Sequence, residues 1–328
     1  MTRRRLFLAA LLAPVLWGSQ IASAAAQVFP SGRVTFVVPY VAGGTTDVIA
    51  RALADELGKL WKHPVVVENF SGAGGIAGTV RVAKADPDGL TLLVTVQDPL
   101  VLNRFLFKDL PYDPDKGLAP VTMVSRSPQI VIANASFPAN SLQELIDAAR
   151  SSASGISYSS SGLGSQPYLL FETLAKRYGG KFVQVPYRGI APAMTALMTG
   201  EVMVSTGTAA SAGSMLQDGK IKALAFGGPK RSPKYPNVPT MAELGYADLD
   251  ATAWWGLFAP GGTPASIVDR INRDIVTVAQ QPAFIEKYFE RFGMEPVLDS
   301  PAEFATAIHR DVTIAADMVK AADLKPLE

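Results

Sequence analysis

The sequence contains no cysteine and only two histidines, His63 and His309. Without a thiol there is no disulfide framework, no cysteine nucleophile and no lipid-modified cysteine anchor. Zinc and iron–sulfur centres need clusters of thiolate or imidazole, so they are close to excluded and no metal site or cofactor is expected. Charge is sparse as well: Asp, Glu, Lys and Arg make up 18% of the 328 residues, 30 basic against 29 acidic. A protein that binds nucleic acid through its phosphates needs a basic face, which this balance does not supply. At 48% hydrophobic residues the chain is too apolar to be disordered. No stretch reaches the roughly 18 apolar residues of a membrane-spanning helix.

The charges that are present are unevenly placed. Arg3, Arg4 and Arg5 precede an apolar run from Leu6 to Trp17, and Ala22-Ser23-Ala24 or Ala24-Ala25-Ala26 offers a small-residue cleavage point. Residues 1–26 therefore read as a secretory signal peptide. Arg4-Arg5-Leu6-Phe7-Leu8 also resembles a twin-arginine signal, which leaves the export route, Sec or twin-arginine, open. The mature protein is expected to be soluble and unanchored in a periplasm. The leader takes three basic residues with it, leaving 27 against 29 acidic, a net charge of −2. Any affinity for anions must then come from local geometry rather than the overall field.

A chain of this length exceeds one ordinary core and predicts two lobes of about 100–200 residues each. Short β-branched runs alternate with amphipathic stretches. Val34 to Val38 predicts a strand, and Val48, Ile49, Leu53, Leu57 and Leu60 recur at helical spacing after Gly43-Gly44. Val65 to Val67 and Thr91 to Val94 predict further strands. A second alternating series starts after Val121, with strands at 129–132, 156–158, 182–185, 202–206 and 222–226. Ser141 with Glu144, and Ser300-Pro301 with Glu303, are helix-opening capping boxes. Pro229 to Pro239 predicts an exposed connector, followed by a strand at Trp254-Trp255. The pattern is α/β with parallel sheets in two lobes.

Four loops at predicted strand ends carry donors rather than catalytic groups. Pro39-Tyr40-Val41-Ala42-Gly43-Gly44-Thr45-Thr46-Asp47 opens a helix whose free N–H groups suit a carboxylate or phosphate. Ser71 to Gly75 lacks the Lys-Ser/Thr of a phosphate loop and the spacing of a dinucleotide fingerprint. Ser159 to Gln166 is rich in hydroxyls and amides, and Tyr187-Arg188-Gly189 ends another strand with an arginine able to pair a carboxylate. Each loop taken alone also fits an ordinary strand–helix turn. No G-x-S-x-G elbow occurs in the chain. A hydrolase or isomerase using His309 or Asp47 as base would need an orienting partner, and none is evident. Binding without reaction is the reading that remains, and no catalytic residue is assigned.

The mature sequence resembles the substrate-binding receptors of tripartite tricarboxylate transporters, the Bug family. The resemblance runs from Val34 to about Val312. It rests on Val37-Val38-Pro39 with Gly43-Gly44-x-x-Asp47, on Val65-Val66-Val67-Glu68-Asn69 with Gly72-Ala73-Gly74-Gly75, and on Ala85-Asp86-Pro87-Asp88-Gly89-Leu90-Thr91-Leu92. Leu110-Pro111-Tyr112-Asp113-Pro114, Val185-Pro186-Tyr187-Arg188-Gly189, Val238-Pro239-Thr240 and Trp255-Gly256-Leu257-Phe258-Ala259-Pro260 continue it in order.

The resemblance implies a two-lobed periplasmic binding protein, type II-like, with a ligand cleft between lobes joined by hinge strands. Residues 27–125 and 229–328 would form lobe 1, and 126–228 lobe 2. A small carboxylate, whether a di- or tricarboxylate, an aromatic acid or an amino acid, would be held by Tyr40, Gly43, Gly44, Thr45, Thr46 and Asp47 from one side. Ser161, Gly164, Ser165, Gln166, Tyr187, Arg188 and Gly189 would hold it from the other, with Thr95 and Thr206 lining the cleft. The expected partners are membrane transporter subunits, or a sensor kinase in the alternative reading, and the receptor is expected to be monomeric. Two departures from the family pattern stand out. Gln166-Pro167 replaces a His-Leu pair, and Gly200-Glu201-Val202-Met203 lacks the family's aspartate. Met203, facing the cleft, would favour a bulkier or more apolar acid.

Overall fold

A computed structural model of the chain describes residues 29–326, except 163, 247, 248, 250 and 251. The signal-peptide segment lies outside the described residues. The elements in chain order are β1 (Val34–Val38), α1 (Thr45–Trp61), β2 (Val65–Asn69), α2 (Ile76–Ala83), β3 (Thr91–Val96), α3 (Asn103–Leu106), β4 (Leu118–Pro128) and β5 (Ile130–Asn134). There follow α4 (Leu142–Ser151), β6 (Ile156–Ser160), α5 (Gln166–Tyr178), β7 (Phe182–Pro186), α6 (Ile190–Thr199), β8 (Val204–Gly207), α7 (Ala209–Gln217) and β9 (Ile221–Phe226). The last group is β10 (Thr252–Pro260), α8 (Ala265–Ala279), α9 (Pro282–Phe284), β11 (Glu295–Pro296) and α10 (Pro301–Ala321).

These strands form two mixed sheets. The first runs β11-β4-β10-β3-β1-β2 and the second β7-β6-β8-β5-β9. One plan serves both. β2, β1 and β3 are parallel, as are β7, β6 and β8, and each trio is flanked by an antiparallel strand, β10 or β5. Each sheet is covered on both faces, as parallel sheets require. On the first, Phe36 and Val38 pack with Leu53, Leu57 and Ile275 on one side, while Val37, Leu93, Trp254 and Phe304 pack on the other. On the second, Val131 and Ala133 face Phe171 and Leu174, and Ile130 and Ile132 face Met194 and Leu197.

The local signals mostly perform as their chemistry predicts. Ser141 Oγ accepts the Glu144 N–H at 3.1 Å, and Ser300 and Glu303 cap each other's backbone N–H groups. The buried stripe of α1 is Ile49, Leu53, Leu57 and Trp61, whereas Leu60 is 43% exposed. Trp61 takes the last position because its ring buries while its Nε1 donates to Asp274 at 2.6 Å. β4 is unmarked in the sequence. With Pro120 and several polar residues it carries no strand signal, yet it pairs antiparallel with β10 along most of its length. The chain crosses from the first sheet to the second between β4 and β5, at Gln129, and returns between β9 and β10. Met241, Tyr246 and Leu249 pack into the second core before that return. Met203 packs against this core as well.

Candidate functional site

Between the two sheets lies a cavity of ≈ 80 Å³. One water needs about 10–15 Å³ by this measure, so there is room for a small polyatomic guest. The N-termini of four helices meet at its wall: Gly44, Thr45 and Thr46 of α1, Gln166 and Pro167 of α5, Ile190 of α6, and Thr208 and Ser211 of α7. Each such end presents backbone N–H groups without helical partners and the positive end of a dipole. Their meeting follows from topology, since these helices all begin where a strand ends and the strand ends point into one gap. Among the described residues no Lys, Arg or His lines the cavity.

Several hydroxyls complete the wall. Thr206 Oγ1 is buried with no hydrogen-bond partner, Tyr40 Oη and Thr95 Oγ1 beside the cavity are within reach of each other, and Thr208 Oγ1 is the cap of α7, facing the Ser211 N–H. Buried polar atoms in a folded protein are nearly always paired, so the unpaired Thr206 hydroxyl at this small space points to a ligand or ordered water as partner. Burial, together with the nearby Asp98 carboxyl, holds the Tyr40 phenol well above its usual range, so it is neutral at physiological pH. Trp255 closes one side, its Nε1 donating to Thr46 Oγ1 at 3.2 Å.

Two carboxylates line the cavity. Asp47 has both oxygens engaged: Oδ2 accepts from Gly43 N at 3.0 Å and Arg51 Nε at 3.0 Å, and Oδ1 from an Arg51 terminal nitrogen and Asn69 Nδ2, each at 2.9 Å. Burial alone would raise its pKa, but the Arg51, Gly43 and Asn69 hydrogen bonds outweigh that and hold it below the usual carboxylate range. Asp47 thus fastens the loop that aims α1. Asp98 follows β3 in a π-helical turn, Asp98–Leu102, and is 4% exposed. It accepts the Gln166 backbone N–H, yet burial dominates and pushes its pKa up to about 7.

The lobes touch around this space. Val41 N–H donates to the Arg188 carbonyl at 3.4 Å. A methyl group added at Gly44 would lie 3.1 Å from Ile190 Cγ2, and one at Gly164 2.5 Å from the Phe107 ring. At Gly164, where φ is +76°, only a glycine permits this contact, whereas at Gly44 the Ile190 methyl would have to give by a few tenths of an ångström.

Of the residues singled out in the sequence, Tyr40, Gly44, Thr45, Thr46, Asp47, Ser161, Gln166 and Thr206 line the cavity. Gly43 lines an adjoining cavity of ≈ 280 Å³. Ser165 Oγ donates to the Gly162 carbonyl at 2.7 Å and, with Gly164, shapes the loop. Gly189 is the N-cap of α6. Neither the Tyr187 hydroxyl nor the Arg188 side chain is brought to the wall: Tyr187 Oη donates to Glu201 at 2.7 Å, and Arg188 is exposed. Met203 is not at the wall either. The sequence reading missed Gln129, Thr208, Ser211 and, above all, Asp98. The signal for Asp98 was available, since it lies just past the C-terminal end of a parallel strand, where ligand groups gather. Among the described residues no group of three or more His, Asp or Glu could hold a metal ion.

Two sheets of one plan, a cleft between them and a wall of helix N-termini define a two-lobed α/β solute-binding protein. The chain belongs to the tripartite tricarboxylate transporter family receptors, whose sequence profile matches residues 49–324. It is 34% identical over 300 residues to Protein BugT of Bordetella pertussis, an alignment covering 91% of this chain and 92% of that one. The structure of the periplasmic binding protein BugD superposes with a TM-score of 0.85 at 32% identity, covering 91% of this chain and all of that one. MatC from Rhodopseudomonas palustris, solved with bound malate, gives 0.84 at 33% identity over 89% of this chain and 100% of its own.

Proposed function

We propose that this protein is a periplasmic receptor that captures a small carboxylate between its lobes and delivers it to the membrane subunits of a transporter, without converting it. The observation that carries the reading is the wall of four helix N-termini and hydroxyls with, among the described residues, no basic side chain. Neutral donors and dipole ends grip an anion in a water-poor space, and the malate held by the relative MatC is a guest of that chemistry. Tyr40, Thr45, Thr46, Ser161, Gln166 and Thr206 are assigned to the ligand directly. Asp47 acts by holding the α1 loop in position, and Gly44, Gly164 and Gly189 by letting the lobes approach.

We place the outward crossing at Gln129. The return falls after Leu249 rather than at residue 228, because Met241, Tyr246 and Leu249 belong to the second core. The lobes open and close about these crossings, and a ligand that contacts both shifts the balance toward the closed arrangement.

The test is a thermal-shift screen of the purified protein against mono-, di- and tricarboxylates, aromatic acids and amino acids, followed by calorimetry. A true ligand at a hundred times its Kd adds about 2.7 kcal/mol, several degrees in Tm. Gly44→Val is expected to abolish that shift while keeping the unliganded Tm within a few degrees. If no acid raises Tm, or if Gly44→Val binds like wild type, the site is wrong.

A further inference from the structure

The cavity wall is not made of donors alone. Asp98 lines it, and among the described residues no Lys, Arg or His pairs with it. Among the described residues, the donor that faces it is the Gln166 backbone N–H, across from the other lobe. Two amide oxygens in the same wall, Gln129 Oε1 and Gln166 Oε1, are buried with no donor at all. Gln129 stands at the chain crossing and Gln166 at the start of α5, so these acceptors come from three separate segments. An acid carrying only carboxylates would satisfy the helix N-termini but would set its remaining oxygens against Asp98 and the two amide oxygens. Lone pairs facing lone pairs in a buried space cost free energy on both sides. An ammonium group meets the Asp98 carboxylate with N–H donors and the opposite charge.

Resting on the receptor reading above, we infer that the ligand is a zwitterionic amino acid, its carboxylate taken by the helix N-termini and its ammonium received by Asp98, with the Gln129 and Gln166 amide oxygens as further acceptors. Asp98 is then the specificity-determining residue of the cleft. The ionisable groups around it fit this assignment. Tyr40 and Tyr112 face it, and both phenols are pushed upward by burial and so neutral near pH 7. Asp47, the other charge in the wall, is already matched by Arg51. Burial leaves Asp98 itself partly protonated at neutral pH. An ammonium ligand makes it release its proton, whereas a second ligand carboxylate makes it take one up. The two ligand classes therefore differ in the sign of proton exchange.

The experiment is isothermal titration calorimetry at pH 7 in buffers of different ionisation enthalpy, on wild type and Asp98→Asn. The ligands are the standard amino acids and the same skeletons lacking the amino group. At least one amino acid is expected to bind wild type with proton release. Asp98→Asn, with its Tm and circular dichroism checked as a control on folding, is expected to weaken that binding about 10- to 100-fold. The same variant should leave the corresponding deamino acid no weaker, or tighten it, a difference that general damage to the fold would not produce. Binding of plain di- or tricarboxylates with proton uptake and no amino acid bound would overturn the inference and leave the receptor reading intact. Equal weakening of both ligand classes in Asp98→Asn would also overturn it. Failure of every acid to bind wild type would bring down the receptor reading as well.

Discussion

Asp47, in the first turn of α1, and Asp98, in the π-helical turn, follow β1 and β3, two neighbouring parallel strands, and both line the same cavity. Their surroundings are opposite. Asp47 is enclosed by Gly43 N–H, the Arg51 guanidinium and the Asn69 amide, which keep it ionised below the usual range. Asp98 is buried with one backbone donor and, among the described residues, no cation, and its burial pushes it up to about 7. The same residue type thus does two jobs. A carboxylate whose lone pairs are spent inside the protein fixes geometry, and one whose lone pairs are unspent is available to a guest.

The contrast has opposite pH signatures. Asp98 holds its proton in the folded chain at pH values where the unfolded chain has lost it. Its contribution to stability therefore falls as pH rises from about 4 to about 7. Replacing it with Asn removes that slope. Asp98→Asn is expected to match wild type near pH 4 and to exceed it by on the order of 3–4 kcal/mol at pH 8. Urea unfolding at several pH values measures this, and equal curves for the two proteins would erase the distinction between the carboxylates.

A smaller effect is expected at Asp47, with the sign reversed. Its folded pKa is lowered, so its stabilisation is present above the unfolded value near 4 and is lost as pH falls through the folded one. Arg51 is half exposed, which screens the pair. Asp47→Ala is expected to cost about 1–2 kcal/mol at pH 7, chiefly from the buried donors left unpaired. That cost is expected to shrink toward zero at low pH. Denaturation of the variant at pH 7 and pH 3 checks both statements, and a loss independent of pH would mean that packing, not charge, is at work.

Tyr187 bounds the comparison from below. Its hydroxyl is turned to Glu201, away from the cavity. Tyr187→Phe is expected to leave ligand affinity within about twofold, since this exposed hydrogen bond does not reach the cavity. Calorimetry with whichever acid the screen identifies measures this. A large loss would place the Tyr187–Glu201 pair in the binding step.

The residues legible in advance were those whose task is local. Asp47 could be read as a loop acid because the glycines it meets are adjacent in sequence. Ser141 and Ser300 declared their caps because the partner glutamate is three residues away. Asp98 was marked only by its place after a parallel strand, for its meaning depends on Gln166 and on the absence, among the described residues, of any cation nearby. β4 escaped notice for the same reason, because the strand it pairs with, β10, is supplied from far along the chain. Tyr187 and Arg188 erred the other way: a motif marked their loop, but only the path of the backbone decides which atoms of it reach the cavity.

The sequence by itself determined the α/β alternation, the helix caps, the glycine loops and the family, because these rest on interactions between near neighbours and on motifs kept in order. The tertiary structure alone decided which of those loops share a wall, that Met203 belongs to a core, and that one carboxylate is spent while the other is free. The physical reason is that charge state and availability are set by desolvation and by partners in space. Neither can be counted until distant segments have been packed together.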